Sequence, residues 1–169
     1  MEIPVRTRAF ALAVLAMLLY LPSLAGGFLE WDDRALVLEN RVAALPPWSA
    51  AREAFAHPVG TTWWPFREVS YALDHAVWDF RPQGFHLTNL LLYALTAVGF
   101  YLAARKVVGE GPGFLAALLF TAHPVHAEAV AWVSGRKEVL CAMFLMLAWG
   151  SLMGEGRKRY ALGLLFRLQ

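Results

Sequence analysis

The sequence predicts an all-α protein: a bundle of several transmembrane helices, with an interfacial outer loop that contains short amphipathic helices. Hydrophobic residues make up 59% of the 169 residues and charged residues only 17%, against roughly 45–50% and about 25% in ordinary soluble domains. No charged residue occurs from Ala9 to Leu29, and a run of ~20 apolar residues is what a helix needs to cross a bilayer. These observations favour a membrane protein over a soluble domain.

Four apolar runs and the start of a fifth define the predicted spans. They lie near residues 9–29, 85–104, 113–133 and 139–154, with the last beginning at 160–169. Basic residues precede the first run and follow the second and fourth, so the positive-inside rule places the amino terminus and these clusters in the cytoplasm. A cleaved signal peptide is the alternative for the first run, because Ser23 and Ala25 offer a small-residue cleavage pattern.

The predicted outer loop covers residues 30–83 and is rich in tryptophan, proline and charge. Tryptophans of this kind are typical of a membrane interface. Within the loop, Val69, Leu73 and Val77 recur at helical spacing between Arg67 and Trp78. This pattern predicts a surface helix half sunk in the headgroups.

Charge and cysteine content exclude several classes of protein. A formal net charge of +2, with the basic residues in short clusters, does not indicate a nucleic-acid partner. Cys141 is the single cysteine, so neither an intrachain disulfide nor a cysteine metal site can form.

The segment Trp31-Asp32-Asp33-Arg34 directly follows the first predicted span. Adjacent carboxylates near the outer membrane surface can serve as a general base or bind a divalent cation. Acidic residues are also favoured at the amino-terminal end of a helix. Asp32 and Asp33 are therefore candidate catalytic residues, with helix capping as the simpler alternative.

A second polar cluster interrupts the third apolar run. His123, His126 and Glu128 lie there with Pro124, and ionisable residues at membrane depth usually mark a site or face a polar cavity. A wetted re-entrant turn bent by the proline is the alternative. The three side chains have a possible zinc spacing, but the proline perturbs it, so no metal is assigned.

Arg136 and Lys137 oppose the positive-inside rule, because they fall in a predicted outer loop beside Glu138. A guanidinium can hold two phosphate oxygens at once, and an ammonium can add a point charge. Binding of lipid headgroups is the alternative role for both.

Taken together, these residues resemble the transmembrane and tetratricopeptide-repeat O-mannosyltransferases and their bacterial relatives, which are GT-C class integral-membrane glycosyltransferases. The likeness covers most of the chain. Its shorter parts are Trp31-Asp32-Asp33 with Asn40, Leu73-Asp74-His75, and the string from Gly84 to Leu92. Its most specific part is the string from His123 to Glu138. This chain has Arg67-Glu68 where such proteins usually show an Arg-Pro pair.

The resemblance implies a GT-C-like bundle with a catalytic acid in the first outer loop and a polyprenyl-phosphate-linked sugar as donor. The acceptor would be a hydroxyl of an exported protein, and Asp32 or Asp33 would take its proton. Arg136 and then Lys137 would hold the leaving phosphate, with Glu128, His123 and His126 in supporting roles. The membrane would be the inner or plasma membrane in a bacterium and the endoplasmic reticulum in a eukaryote.

Residues 1–169 are then expected to be the amino-terminal part of a membrane-embedded GT-C-like domain, because the resemblance implies more spans than they contain. Tetratricopeptide repeats are also absent from them. The alternatives are a non-catalytic membrane anchor for such repeats and an inactive truncated remnant. A transporter is less consistent with the sequence, because no paired Gly/Pro-broken segments occur in matching halves.

Overall fold

The structure is a computed structural model that describes residues 3–152. Within that range the chain is helical, apart from turns and an isolated β-bridge between Val59 and Thr62. The α-helices are α1 (Val5–Tyr20), α2 (Pro47–Ala56), α3 (Pro65–Trp78), α4 (Pro82–Val108), α5 (Glu110–Ala122), α6 (Ala127–Ala131) and α7 (Arg136–Leu152). Short 3₁₀ helices cover Leu21–Ala25, Pro124–His126 and Val133–Gly135, and a π-helical turn covers Arg34–Leu38. The all-α prediction is confirmed for these residues.

Within residues 3–152, two helical segments are long and apolar enough to cross a membrane. They are Val5–Ala25, which joins α1 to the following 3₁₀ helix, and Pro82–Val108, which is α4. Glu110–Ala122 and Pro124–Ala131 form a third candidate, bent by 49°. The bend lies at the proline that interrupts the predicted third span, as expected of a residue that cannot donate a helical hydrogen bond.

The fourth predicted span overlaps α7 up to Leu152. Its last two residues and the predicted fifth span at 160–169 lie outside the described residues.

The chain divides into two compact units. The first unit contains Met1–Leu19, Tyr93–Pro124 and Cys141–Gln169, and its described core includes Leu12, Tyr101 and Ala117. The second unit contains Tyr20–Leu92 and Val125–Leu140. It holds Asp32 and Asp33 together with Glu128, Arg136 and Lys137.

Helix α5 packs closely against α4 in the first unit. A Cβ on Gly113 would lie 2.7 Å from the backbone of Arg105, so only glycine allows this approach. The Tyr93 hydroxyl donates a hydrogen bond to the Thr121 carbonyl at 2.9 Å. Glu110 accepts hydrogen bonds from both Arg8 and Arg105 at 3.2 Å, which ties the basic ends of α1 and α4 to the start of α5.

The helix predicted between Arg67 and Trp78 is confirmed as α3, and its polar side is buried in the second unit. Arg67, Glu68 and Asp74 are at most 5% exposed, whereas Leu73 is 50% and Val77 69% exposed. The helix begins with Pro65, which lacks a backbone N–H. The first N–H groups of a helix have no partner within the helix, so proline is tolerated there. Leu73 and Val77 are thus presented outward, as suits a helix lying against lipid, whereas Val69 packs against a buried cluster that includes Ala72.

We expect a nitroxide label at Val77 to be relaxed more by oxygen, which concentrates in lipid, than by a water-soluble nickel complex. The reason is the exposed apolar face of α3. Cys141→Ser would supply the cysteine-free background. The matched control is a label at Arg41, whose side chain is 81% exposed within an ion pair, and there the nickel complex should dominate. Equal nickel accessibility at both positions would contradict the orientation.

Candidate active site

Asp33 joins the segment after the first span to the 3₁₀ helix before α7. Its side chain is fully buried. One carboxylate oxygen accepts hydrogen bonds from the Ser134 backbone N–H at 2.9 Å and the Ser134 hydroxyl at 2.5 Å. The other oxygen accepts the Leu29 N–H at 2.9 Å. All three donors converge on one carboxylate, so Asp33 fixes the position of its neighbours.

The capping interpretation of Asp33 is wrong. Asp33 makes no side-chain cap bond to the turn that follows it, because its oxygens are already used by Leu29 and Ser134. The preference of aspartate for helix starts is a local tendency, which this long-range contact overrides.

Asp32 is exposed, although its neighbour is buried. The structure shows no hydrogen bond or ion pair of its carboxylate to the described part of the chain. The nearby cation Arg34 is instead held by Glu39 at 2.7 Å and Glu30 at 3.5 Å. The two predicted carboxylates therefore differ: one is an internal anchor and the other is open to a ligand.

Arg136 is a fully buried hub of the second unit. It pairs with Asp74, donates from Nε to the Asn89 side-chain oxygen at 2.7 Å, and donates from Nη2 to the Phe85 carbonyl at 2.6 Å. The guanidinium also lies over the Tyr71 ring, 4.9 Å from its centroid. Its charge and donors are thus satisfied internally.

Burial also raises the pKa of two groups beside Arg136, the Asp74 carboxyl and the Tyr71 hydroxyl. Desolvation raises the pKa of Asp74 above its ordinary value, and the Arg136 charge and the Thr88 hydrogen bond only partly offset it. Burial likewise raises the pKa of Tyr71, with Arg136 and Arg67 acting in the opposite direction. Tyr71 therefore remains a donor near neutral pH, and its hydroxyl bonds the Val133 carbonyl at 3.1 Å.

Asn89 completes the support of the loop before α7. Its amide donates to the Trp132 carbonyl at 2.8 Å and points at the Val130 carbonyl at 3.4 Å. With the contacts from Tyr71 and Asp33, successive residues of this loop are held by three different elements. A loop fixed in this way is preorganised, as a ligand site requires.

A second buried polar cluster contains Arg67 and Glu68, the pair that stands where the resembled family usually has Arg-Pro. Arg67 donates to Glu68 Oε1 at 2.9 Å from Nε and at 2.5 Å from Nη2. Asn40 donates to the other oxygen of Glu68 at 2.5 Å and to the Leu36 carbonyl at 2.9 Å. Glu68 thus ties α3 to the π-helical turn that follows Asp33.

Gly135 permits the tight packing of α6 against this loop. A Cβ built on Gly135 would lie 2.6 Å from the Ala129 carbonyl oxygen and 2.9 Å from the Ala129 Cα.

We expect Gly135→Ala to destabilise the second unit by about 1–3 kcal/mol, because the added Cβ clashes with the backbone of Ala129. The measurement is the thermal unfolding midpoint in detergent. The control is Gly27→Ala, because a Cβ at Gly27 meets no atom within 4 Å and its backbone does not have a positive φ. It should shift the midpoint little. Gly60 is unsuitable as a control, since its φ of 61° would strain an alanine.

The remaining candidates occupy different surroundings. Lys137 is partly exposed, its side chain being 31% exposed, and it contacts Glu138 at 3.0 Å. Glu128 is exposed and His126 partly buried in the second unit, while His123 is exposed in the first unit. Among the described residues, no three His, Cys, Asp or Glu side chains form a group that could hold a metal ion.

Sequence reasoning did not identify Asp74, Thr88 or Ser134 as parts of this arrangement. Two signals were available. All three residues lie in the strings that carry the resemblance, and Thr88 stands with Asn89 inside an apolar run, where a polar side chain needs a partner.

Residues 3–152 define a class of protein: a helical chain with segments apolar enough to cross a membrane and an exposed carboxylate beside a buried polar cluster. The chain is 33% identical over 154 residues to the protein O-mannosyl-transferase Tmtc2 of Drosophila melanogaster, covering 86% of this chain and 16% of that protein. It is 29% identical over 151 residues to TMTC2 of Mus musculus, covering 80% and 17%. With TMTC3 of Mus musculus it shares 29% identity over 140 residues, covering 77% and 15%.

The chain is thus a homologue of the transmembrane and tetratricopeptide-repeat O-mannosyltransferases, and the resemblance carried by its motifs is confirmed. It spans less than a fifth of the length of these three relatives. No family model matches the chain. No solved structure matches it either.

Proposed function

We propose that this protein is part of a membrane glycosyltransferase that moves mannose from a polyprenyl phosphate to a protein hydroxyl on the non-cytoplasmic side. The relatives are named protein O-mannosyl-transferases, and the described chain has helices apolar enough to cross a membrane. The observation that carries the proposal is the exposed Asp32 fixed beside the buried anchor Asp33.

The proposed topology places the amino terminus in the cytoplasm. Arg8 precedes the apolar part of α1, and Arg105 and Lys106 end α4, so these residues would share the cytoplasmic side. Residues 30–83 would then lie outside, with α3 against the membrane surface. We further propose that these helices belong to a larger GT-C-like bundle, in the endoplasmic reticulum of a eukaryote or the inner or plasma membrane of a bacterium.

Asp32 acts as the general base in this proposal. The acceptor oxygen attacks the anomeric carbon of the sugar while Asp32 takes the hydroxyl proton. The bond between the anomeric carbon and the phosphate oxygen breaks, and its electron pair leaves with the polyprenyl phosphate. A single displacement of this kind inverts the anomeric configuration. Asp33 is the positioning residue, because its three hydrogen bonds hold the backbone on which Asp32 stands.

Lys137 is the better candidate to hold the leaving phosphate. The sequence pattern placed Arg136 first, but its guanidinium is buried and bound by Asp74, Asn89 and Phe85. Lys137 is partly exposed, and within residues 3–152 its ion pair is with the exposed carboxylate of Glu138, from which a phosphate can attract it. Arg136 then supports the site through Asn89, which bonds the loop that precedes Arg136 and Lys137.

His123, His126 and Glu128 keep their proposed supporting roles. Within residues 3–152, no group of three His, Cys, Asp or Glu side chains could hold a divalent cation. The chemistry proposed here is carried by Asp32, Asp33 and Lys137.

The experiment that tests this function is transfer of radiolabelled mannose by the complete gene product in membranes. The donor would be polyprenyl phosphate mannose, with GDP-mannose as the comparison donor, and the acceptor a purified exported protein. Transfer from the lipid donor alone supports the proposal. Correct insertion without transfer from either donor would instead support a non-catalytic anchor.

A further inference from the structure

A cavity of about 250 Å³ lies on the second unit between α6 and the start of α7. Its volume corresponds to roughly eight water molecules at ~30 Å³ each, which is the size class of a single monosaccharide. It is lined by Val125, Glu128, Ala129, Trp132, Gly135 and Glu138.

The lining combines an aromatic ring with two carboxylates. The Trp132 indole N–H makes no hydrogen bond within the described residues, although it is buried. Glu128 makes no ion pair in the described part of the chain, and Glu138 uses one oxygen for Lys137 at 3.0 Å. Free carboxylate oxygens accept hydrogen bonds from hydroxyl groups, and an indole face packs against the C–H surface of a sugar ring.

This chemistry selects among ligands. Two carboxylates disfavour an anion such as a phosphate or an acidic peptide. A metal ion lacks a third ligand among residues 3–152. A neutral polyhydroxylated ring satisfies both the aromatic face and the acceptors, as a binding site with few convergent polar groups requires.

The cavity is built from the same loop that anchors the proposed base. Trp132 and Gly135 flank the residues whose backbone is bonded by Tyr71 and Asp33, and Asn89 bonds the Trp132 carbonyl at 2.8 Å. These bonds hold the wall of the cavity in place, and Glu138, which lines it, contacts Lys137, the residue proposed to hold the phosphate, at 3.0 Å.

We infer that this cavity binds the hexose of the donor, with Trp132 as the stacking surface and Glu128 and Glu138 as hydroxyl acceptors. The inference rests on the proposed function, since it assigns the cavity to the sugar that is transferred.

The test is saturation-transfer NMR of methyl α-mannoside with the complete gene product in lipid nanodiscs, which needs no catalysis. Wild-type protein should bind the mannoside. Trp132→Ala should weaken binding roughly tenfold, Trp132→Phe should weaken it less, and Glu128→Gln should weaken it measurably. Trp48→Ala, at an exposed tryptophan outside the cavity, is the matched control and should bind as the wild type does.

The inference is overturned if the wild-type protein does not bind the mannoside, or if Trp132→Ala and Glu128→Gln both bind it like the wild type. Glu128 is exposed, so its substitution reports on binding even if a change at Trp132 disturbs folding. Cavity-dependent mannoside binding without any mannose transfer would support the sugar site while contradicting the proposed transferase, so the two failures are distinguishable.

Discussion

Replacement of Arg136 by methionine is expected to lower the free energy of unfolding by about 3–5 kcal/mol. The substitution keeps much of the side-chain volume but removes the charge that compensates the buried Asp74. It also leaves the Asn89 oxygen and the Phe85 carbonyl without their donor, and unmade buried hydrogen bonds are costly. The measurement is the thermal midpoint and the free energy of unfolding in detergent micelles.

Lys137→Met is the matched control for this prediction, because it is the adjacent residue and its ion pair is partly exposed. Its effect should stay within ~0.5 kcal/mol. The double variant Arg136→Met with Asp74→Asn should be more stable than the sum of the two single effects predicts. The reason is that Asp74→Asn removes the buried carboxylate that Arg136→Met alone leaves without a counter-charge. Strict additivity of the two substitutions would show that the pair is not coupled.

Asp32→Asn is expected to reduce mannose transfer by roughly 10²–10⁴-fold, the usual contribution of a general base. The amide keeps the shape of the carboxylate, but at neutral pH it cannot take the proton from the hydroxyl group that receives the sugar. Asp32 is exposed and makes no contact that the fold of the described residues depends on, so the unfolding midpoint should not change. The readout is the initial rate of labelled mannose transfer at equal amounts of inserted protein.

Glu30→Gln is the control for charge in the same segment. Glu30 is a nearby carboxylate whose side chain is 87% exposed and which contacts Arg34 at 3.5 Å. Its substitution should leave transfer near the wild-type rate. An equal loss in both variants would indicate a general requirement for negative charge at this surface rather than a base at Asp32.

The long apolar helices could be predicted because the bilayer imposes both length and composition. The run from Ala9 to Leu29 and the helix Pro82–Val108 are apolar for the same physical reason. The break at Pro124 was also predictable, because proline removes a backbone donor.

The burial of the polar side of α3 could not be read from its spacing. The periodicity of Val69, Leu73 and Val77 predicts a helix, but the same pattern fits burial against protein or exposure to lipid. The buried side is set by Glu68 and Asp74, whose partners Asn40 and Arg136 lie 28 and 62 residues away. Such pairings carry no local signal.

Arg136 shows the same limit at the candidate site. Its neighbours in sequence suggest a free basic cluster, whereas its actual partners come from α3 and α4. The link between Asp33 and Ser134 likewise joins residues 101 positions apart. Sequence indicated the residue types of the site, and tertiary contacts decide which of them remain accessible.

The measurement that tests the account most directly compares transfer rate and unfolding midpoint for Asp32→Asn and Asp33→Asn side by side. Both should lose transfer, but for different reasons. Asp33→Asn should also lower the midpoint, because an amide cannot accept hydrogen bonds from both Leu29 and Ser134 at its two ends. Asp32→Asn should keep the wild-type midpoint. Transfer at the wild-type rate by Asp32→Asn would contradict the assignment of Asp32 as the base.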